Sequence, residues 1–196
     1  MSVGEILEVV MRDKDYYQNS GGGITISGGE PFVQFDVLMA LLEGSREMGL
    51  HTAVETCGHV PLDRIQRAEP LLDAFLFDLK HISPEKFREY TGGDLAVILR
   101  NLKYVASKAP QKITIRVPVI PGFNADEDTL KGILEKAAGL GVKTVHLLPY
   151  HTMGMVKYEQ LDKPYLLPCT TGMQKEELDG YRKVGEEIGV YVQIGG

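Results

Sequence analysis

The chain has 196 residues and a formal net charge of −6. This length suits one compact core, so we expect a single domain over residues 1–196. The negative charge argues against broad contact with nucleic-acid phosphates, and the sequence shows neither a membrane-spanning apolar run nor a signal-peptide pattern. We therefore expect no nucleic-acid or membrane partner and a cytoplasmic location.

Apolar residues at helical spacing predict the helices. One of them begins at "NADEDTL", where Asn124 is the expected N-terminal cap. Glycines at the ends of three predicted helices, Gly49, Gly141 and Gly189, come shortly before β-branched runs. Glycine ends helices in this way because it adopts the left-handed conformation at little cost. Helices are predicted near residues 3–17, 35–48, 124–140 and 174–188.

Six strands are predicted between and after these helices. Several are nearly continuous apolar runs, which is typical of parallel strands covered on both faces. Alternation of strands and helices indicates an α/β barrel or a doubly wound sheet. A full barrel needs about 250 residues, so we favour an incomplete barrel. The predicted strands are GITIS (23–27), TAVET (52–56), AFLFDLK (74–80), KITIRVPVI (112–120), TVHLLPY (144–150) and VYVQI (190–194).

The two cysteines, Cys57 and Cys169, lie in separate segments and form no C-x2-C pair. This spacing argues against a disulfide framework and against a cysteine-based metal site within the chain. We therefore assign no metal ligand to any residue.

Polar and glycine residues gather where at least four of the strands end. In parallel α/β folds the carboxyl ends of the strands form the edge at which ligands bind. The residues that we expect at this edge are Ser27, Gly28, Gly29, Glu30, Glu55, Thr56, Asp78, Lys80, Arg116 and His151.

Each of these residues also has a structural interpretation. Glu30 precedes a proline and could cap the next helix, and Asp78 could form a plain ion pair with Lys80. Arg116 lies among residues of buried type and needs an anionic partner. Together they indicate a binding site, either for a zwitterionic ligand or for an aldolase that uses Lys80 as a Schiff-base amine. A third hypothesis is a non-catalytic protein that binds a partner or a small molecule.

Five stretches, in chain order, resemble the radical S-adenosylmethionine enzymes, and in particular the glycyl-radical-enzyme activating group typified by pyruvate formate-lyase activating enzyme. The resemblance implies a partial (β/α) barrel that binds S-adenosylmethionine. The stretches are GGGITISGGEP, GLHTAVETCGH, FLFDLKHISPEKF, IRVPVIPGFN and LLPYHTMGMVKYEQL, which span roughly residues 20 to 160.

The resemblance also implies roles for the residues at the strand ends. Ser27 and the Gly28–Gly29–Glu30 turn match the motif that meets the methionyl ammonium group of S-adenosylmethionine. Arg116 matches an arginine that engages a loop of the glycyl-radical partner. Further positions that match the cofactor-binding pattern are Glu55, Thr56, Asp78, Lys80 and His151.

One feature of that group is missing from the sequence. Its members hold a 4Fe–4S cluster on three cysteines spaced C-x3-C-x2-C, and this spacing does not occur here. We therefore expect a chain that lacks the first strand and the cluster loop, binds no iron, binds the cofactor weakly or not at all, and is inactive alone.

The resemblance implies that the protein in its complete form would cleave S-adenosylmethionine with an electron from a flavodoxin or ferredoxin-like reductant. It would then take a hydrogen atom from a glycine of a partner enzyme such as pyruvate formate-lyase, in anaerobic metabolism.

Overall fold

The computed structural model describes residues 1–152, 162 and 171–195, and within it the chain forms two compact units. The first unit comprises Met1–Phe77 and Val97–Ile113, and the second comprises Asp78–Ala96 and Thr114–Gly196. Neither unit is continuous in sequence. That residues 1–196 form a single domain stays a prediction.

The helices of the described residues are mostly separated by strands or by short 3-10 turns. None of those helices has the combination of length and apolar character that crossing a bilayer requires. Their bounds are α1 Val3–Val10, α2 Lys14–Ser20, α3 Phe35–Glu47, α4 Leu62–Ala68, α5 Pro84–Thr91, α6 Leu95–Lys108, α7 Glu127–Gly139 and α8 Gly180–Ile188.

Three parallel strands build the sheet of the first unit. β1 (Gly23–Ile26) pairs with β2 (His51–Thr56), and β2 pairs with β3 (Ala74–Asp78), whose last residue belongs to the second unit. Because all three strands run in the same direction, their carboxyl ends lie at one edge of the sheet. The apolar core against this sheet includes Phe32, Leu38, Leu42, Val54, Ile65, Leu72, Phe75 and Leu102, all of them buried.

The second unit contains three more parallel strands. β4 (Ile113–Val119) pairs with β5 (Thr144–Pro149), and β5 pairs with β6 (Tyr191–Ile194). The first residue of β4, Ile113, is assigned to the first unit. Burial alternates along β4, so one face of the sheet is fully covered and the other is only partly covered. Within this unit, the Leu79 N–H donates to the Arg116 carbonyl at 3.0 Å.

Six strands were predicted, and the structure confirms all of them to within about two residues of their ends. The three glycines predicted to end helices have positive φ angles of 72°, 76° and 76°, at Gly49, Gly141 and Gly189. The sequence did not reveal α4, α5 or α6. The first helix was predicted as one piece, but a 3-10 turn at Met11–Asp13 divides it.

The predicted role of Asn124 as a helix cap is wrong. Asp126 caps α7 instead, and its carboxylate accepts the Thr129 N–H at 2.9 Å. Asn124 is buried, and its amide donates to the carbonyls of Lys80 at 2.6 Å and Pro118 at 2.9 Å. A buried amide with these bonds holds the residues after β3 and at the end of β4 in place, which matters because both carry candidate site residues.

His81, which follows the Asp78–Lys80 pair, leads to a testable pH dependence. It is 2% exposed, and its Nδ1 accepts the backbone N–H groups of Ile82 and Ser83, each at 2.9 Å. Burial, with a smaller effect of Lys86, lowers the pKa of His81 below the ordinary value of 6.5. The unfolded chain therefore binds a proton more readily than the native protein does.

The stability due to neutral His81 is consequently complete above pH 6.5 and is lost as the pH falls through the lowered pKa of the folded state. We expect the free energy of unfolding, measured by urea denaturation, to decrease as the pH falls below 6.5. His81→Gln should reduce this slope. An unaltered slope in His81→Gln would contradict the assignment.

Candidate functional site

The turn after β1 exposes two glycines whose backbone has open space around it. Gly28 has a φ of +126°, a conformation that side chains of L-residues rarely adopt. A Cβ atom placed on Gly28 or on Gly29 would meet no protein atom within 4 Å. The turn therefore offers backbone groups that a ligand can approach closely.

Glu30 follows this turn and is held by donors from the end of β2. Its Oε1 accepts the Thr56 hydroxyl at 2.8 Å, and its Oε2 accepts both the Cys57 N–H at 2.9 Å and the Cys57 thiol at 3.1 Å. Oε1 also accepts the Phe32 N–H at 3.4 Å, so the capping interpretation of Glu30 holds as well. The carboxylate thus has a fixed orientation next to the glycine turn.

Two further predicted residues belong to the same edge of the first unit. The Ser27 hydroxyl donates to Glu55 at 2.6 Å, and the Gly58 N–H donates to the Thr56 hydroxyl at 2.9 Å. Thr56 is 3% exposed, so its hydroxyl acts within the protein and positions Glu30. A cavity of about 390 Å³ adjoins this group and is lined by Ser27, Gly29, Glu30 and Gln34 together with apolar residues.

Cys57 is the member of this group that sequence reasoning missed. It was recognised only as a cysteine without a metal-binding partner, but its thiol and N–H both contact Glu30. The usable signal was its position directly after Thr56, at the end of β2, where the strand order brings it opposite the β1 turn.

In the second unit, Asp78 carries two cationic neighbours. The Asp78 carboxylate lies 3.6 Å from the Arg116 Nε atom and 3.8 Å from the Lys80 Nζ atom. These contacts supply the anionic partner expected for Arg116 and the ion pair expected between Asp78 and Lys80. The three side chains are 22% to 34% exposed, so the group is accessible from solvent.

His151 lies just past β5 and is exposed. It lines a cavity of about 490 Å³ together with Tyr150, Met173 and Lys175. Cys169, the other cysteine, lies outside the described residues. Among the residues that are described, no group of three His, Cys, Asp or Glu side chains could hold a metal ion.

Relatives of the chain are activating enzymes by name. It is 40% identical over 195 residues to the isethionate sulfite-lyase activating enzyme of Desulfovibrio desulfuricans, covering 98% of this chain and 62% of that protein. It is 33% identical over 198 residues to the trans-4-hydroxy-L-proline dehydratase activating enzyme of Clostridioides difficile, covering 100% of this chain and 65% of that protein. The chain thus spans less than two thirds of the length of these relatives.

A solved structure and a family match point the same way. A crystal structure of a domain of pyruvate-formate lyase-activating enzyme from Bacteroides vulgatus superposes with a TM-score of 0.71 at 26% identity, covering 89% of this chain and 99% of that one. This likeness confirms the predicted α/β fold class of the radical-SAM type. Residues 1–133 match the family described as the Radical SAM superfamily. Since this match covers more than half of the sequence, the chain belongs to the radical SAM superfamily.

Proposed function

We propose that the protein is an activating enzyme that cleaves S-adenosylmethionine and takes a hydrogen atom from a glycine of a partner glycyl-radical enzyme. One electron added to S-adenosylmethionine would yield methionine and, after hydrogen transfer, 5′-deoxyadenosine and a glycyl radical in the partner. The observation that carries this proposal is the 40% identity, over 98% of the chain, to a relative named as such an activating enzyme.

The glycine turn of the first unit fits the amino-acid end of S-adenosylmethionine. That end carries an ammonium group and a carboxylate. Glu30 offers an oriented negative charge to the ammonium group, and the open backbone at Gly28 and Gly29 allows close approach. Ser27 and Glu55 complete the proposed binding group, and the buried Thr56 contributes by positioning Glu30. For Asp78, Lys80 and His151 in the second unit, cofactor binding stays a prediction from the family resemblance, as does contact of Arg116 with the partner.

A 4Fe–4S cluster, which the superfamily implies, does not fit the residues that the structure describes. Those residues contain no group of three suitable ligands, and Cys57 is engaged with Glu30. We therefore assign no step of the reaction to cluster ligands in this part of the chain. The flavodoxin or ferredoxin-like reductant and the cytoplasmic location also stay predictions.

The family assignment favours this function over the aldolase hypothesis. A Schiff-base lysine has to present a neutral amine to a carbonyl group. Lys80 instead lies 3.8 Å from the Asp78 carboxylate, which is the geometry of an ion pair. A non-catalytic binding protein remains the second candidate, since the described residues hold no cluster ligands.

The proposal can be tested with a chimera. The segment of the Desulfovibrio desulfuricans activating enzyme that aligns with this chain is replaced by the chain itself. After anaerobic reconstitution with iron and sulfide, the chimera is incubated with S-adenosylmethionine, dithionite and the isethionate sulfite-lyase. We expect 5′-deoxyadenosine in the supernatant and the doublet of a glycyl radical in the electron paramagnetic resonance spectrum of the lyase.

The two readouts separate the parts of the proposal. The chimera could form 5′-deoxyadenosine and yet produce no radical in the isethionate sulfite-lyase, nor in the choline and hydroxyproline enzymes that other relatives are named for. That result would contradict the proposed partner class. Failure to form 5′-deoxyadenosine in a folded chimera with a full iron content would contradict the cofactor-cleaving role and favour the non-catalytic candidate.

A further inference from the structure

The loop that follows β2, residues 57–60, supplies several of the groups that orient Glu30. The Cys57 N–H and thiol donate to one carboxylate oxygen of Glu30, at 2.9 and 3.1 Å. The Thr56 hydroxyl accepts the Gly58 N–H at 2.9 Å and donates its own proton to the other oxygen, at 2.8 Å. The bond from Gly58 polarises this hydroxyl and strengthens its bond to the carboxylate. The orientation of Glu30 therefore depends on where the loop lies.

Asn101 on α6 holds this loop in place. It is completely buried, and its amide nitrogen donates to the carbonyls of Gly58 and Val60, each at 2.8 Å. Both of these partners are acceptors only, so the nitrogen of the amide, and not its oxygen, has to face them. The two bonds join the loop to residues of the same unit that lie 41 and 43 positions further along the chain.

The amide oxygen of Asn101 shows that this arrangement has a cost in stability. The oxygen is buried and accepts no hydrogen bond from the described residues. A buried polar atom without a partner is unfavourable, whereas a leucine of similar size would bury no such atom. Packing alone therefore does not account for an asparagine at this position, and its two bonds to the loop carbonyls do.

The backbone of Gly58 adds a second constraint on the same loop. Its φ of +68° lies in the left-handed region, and a Cβ atom placed on it would clash with the ring of Phe77, which is fully buried on β3. The loop is thus confined both by β3 and by α6. Its conformation is consequently set before any ligand binds.

We propose that Asn101 is a positioning residue for the S-adenosylmethionine site and that it orients Glu30 from α6 through residues 57–60. This inference rests on the proposed function and extends it to a buried residue outside the strand ends. A bond between a carboxylate and an ammonium group is directional. A carboxylate that is already held in one orientation binds the ammonium group more tightly, because less freedom is lost on binding.

The affinity test compares the whole chain with its Asn101→Ala variant by NMR titration. The ligands are S-adenosylmethionine and 5′-methylthioadenosine, which lacks the amino-acid end. We expect the variant to bind S-adenosylmethionine roughly 3- to 10-fold more weakly and 5′-methylthioadenosine with unchanged affinity. Adding Asn101→Ala to Glu30→Gln should cost no further affinity, since both changes act on one carboxylate. Asn19→Ala, at an exposed asparagine of α2, is the matched control and should bind like the wild type.

Hydrogen exchange tests the positioning of the loop without a ligand. In Asn101→Ala the amide protons of Cys57 and Gly58 should exchange roughly tenfold faster, whereas that of Val54 within β2 should keep its rate. Asn101→Asp keeps the shape of the side chain and removes at least one of the two donors. It supplies the same measurements if Asn101→Ala does not fold.

Each outcome addresses a separate claim. Equal affinity of the wild type and Asn101→Ala for S-adenosylmethionine, or an equal loss for both ligands, would overturn the role of Asn101 and leave the proposed function intact. Faster exchange of Val54 to the same degree would show general destabilisation and would overturn that role as well. Lack of S-adenosylmethionine binding by the wild type would contradict the proposed function, and unchanged exchange of Cys57 and Gly58 would independently contradict the positioning of the loop.

Discussion

A Glu30→Gln variant is expected to bind S-adenosylmethionine about 10- to 100-fold more weakly than the wild type. Glutamine has nearly the same shape and can still accept one of the hydrogen bonds from Thr56 and Cys57, but it lacks the charge that would attract an ammonium group. The affinity is measured by NMR titration, which also detects weak binding. Since charge-assisted hydrogen bonds are about twice as strong as neutral ones, this loss should be among the largest of any single substitution in the turn.

The matched control for this variant is Glu47→Gln at the end of α3, where the side chain is exposed. It changes the net charge by the same amount and should leave the affinity unchanged. If Glu30→Gln and Glu47→Gln bind S-adenosylmethionine equally well, Glu30 does not bind the ammonium group, and its contacts with Thr56 and Cys57 are purely structural.

A Gly29→Ala variant should lose affinity for S-adenosylmethionine by roughly tenfold or more while its melting temperature stays unchanged. Gly29 is exposed, its φ lies outside the left-handed region, and an added Cβ would meet no protein atom within 4 Å. The protein therefore tolerates the methyl group, but a ligand that approaches the backbone closely does not. Calorimetric melting and NMR titration measure the two quantities independently.

Gly28→Ala provides the comparison for this substitution. At Gly28 the φ of +126° strains any other residue, so both stability and affinity should fall. Gly29→Ala with full affinity would show that the turn is exposed for some other reason than ligand approach. Loss of stability in Gly29→Ala as large as in Gly28→Ala would show that the open space at Gly29 is not present in solution.

The strands could be predicted from the sequence because local signals agree there. β1 and β4 are mostly apolar, β-branched runs bounded by glycine or proline. Gly49 marks the end of a helix through its own left-handed conformation, which does not depend on tertiary contacts. At the start of α7, local signals compete, because Asn124 and Asp126 are both good helix caps. Burial decides between them: Asn124 is needed by three backbone groups of neighbouring loops.

The candidate site was predictable in its residue types but only partly in its contacts. The Ser27–Glu30 turn stands out because glycines and a carboxylate follow a strand. The contacts of Glu30 with Thr56 and Cys57 depend on the pairing of β1 with β2. This pairing brings Glu30 next to two residues that follow it in sequence by 26 and 27 positions.

The central claim is that the turn after β1 binds the amino-acid end of S-adenosylmethionine. It is tested most directly by two-dimensional nitrogen–proton NMR of the labelled chain during titration with S-adenosylmethionine. We predict saturable shifts of the backbone amide signals of Gly28, Gly29 and Cys57 in the wild type. In the Glu30→Gln variant the same titration should produce no such shifts. Signals of these three amides that stay in place at saturating ligand, or that move equally in Glu30→Gln, would contradict the account.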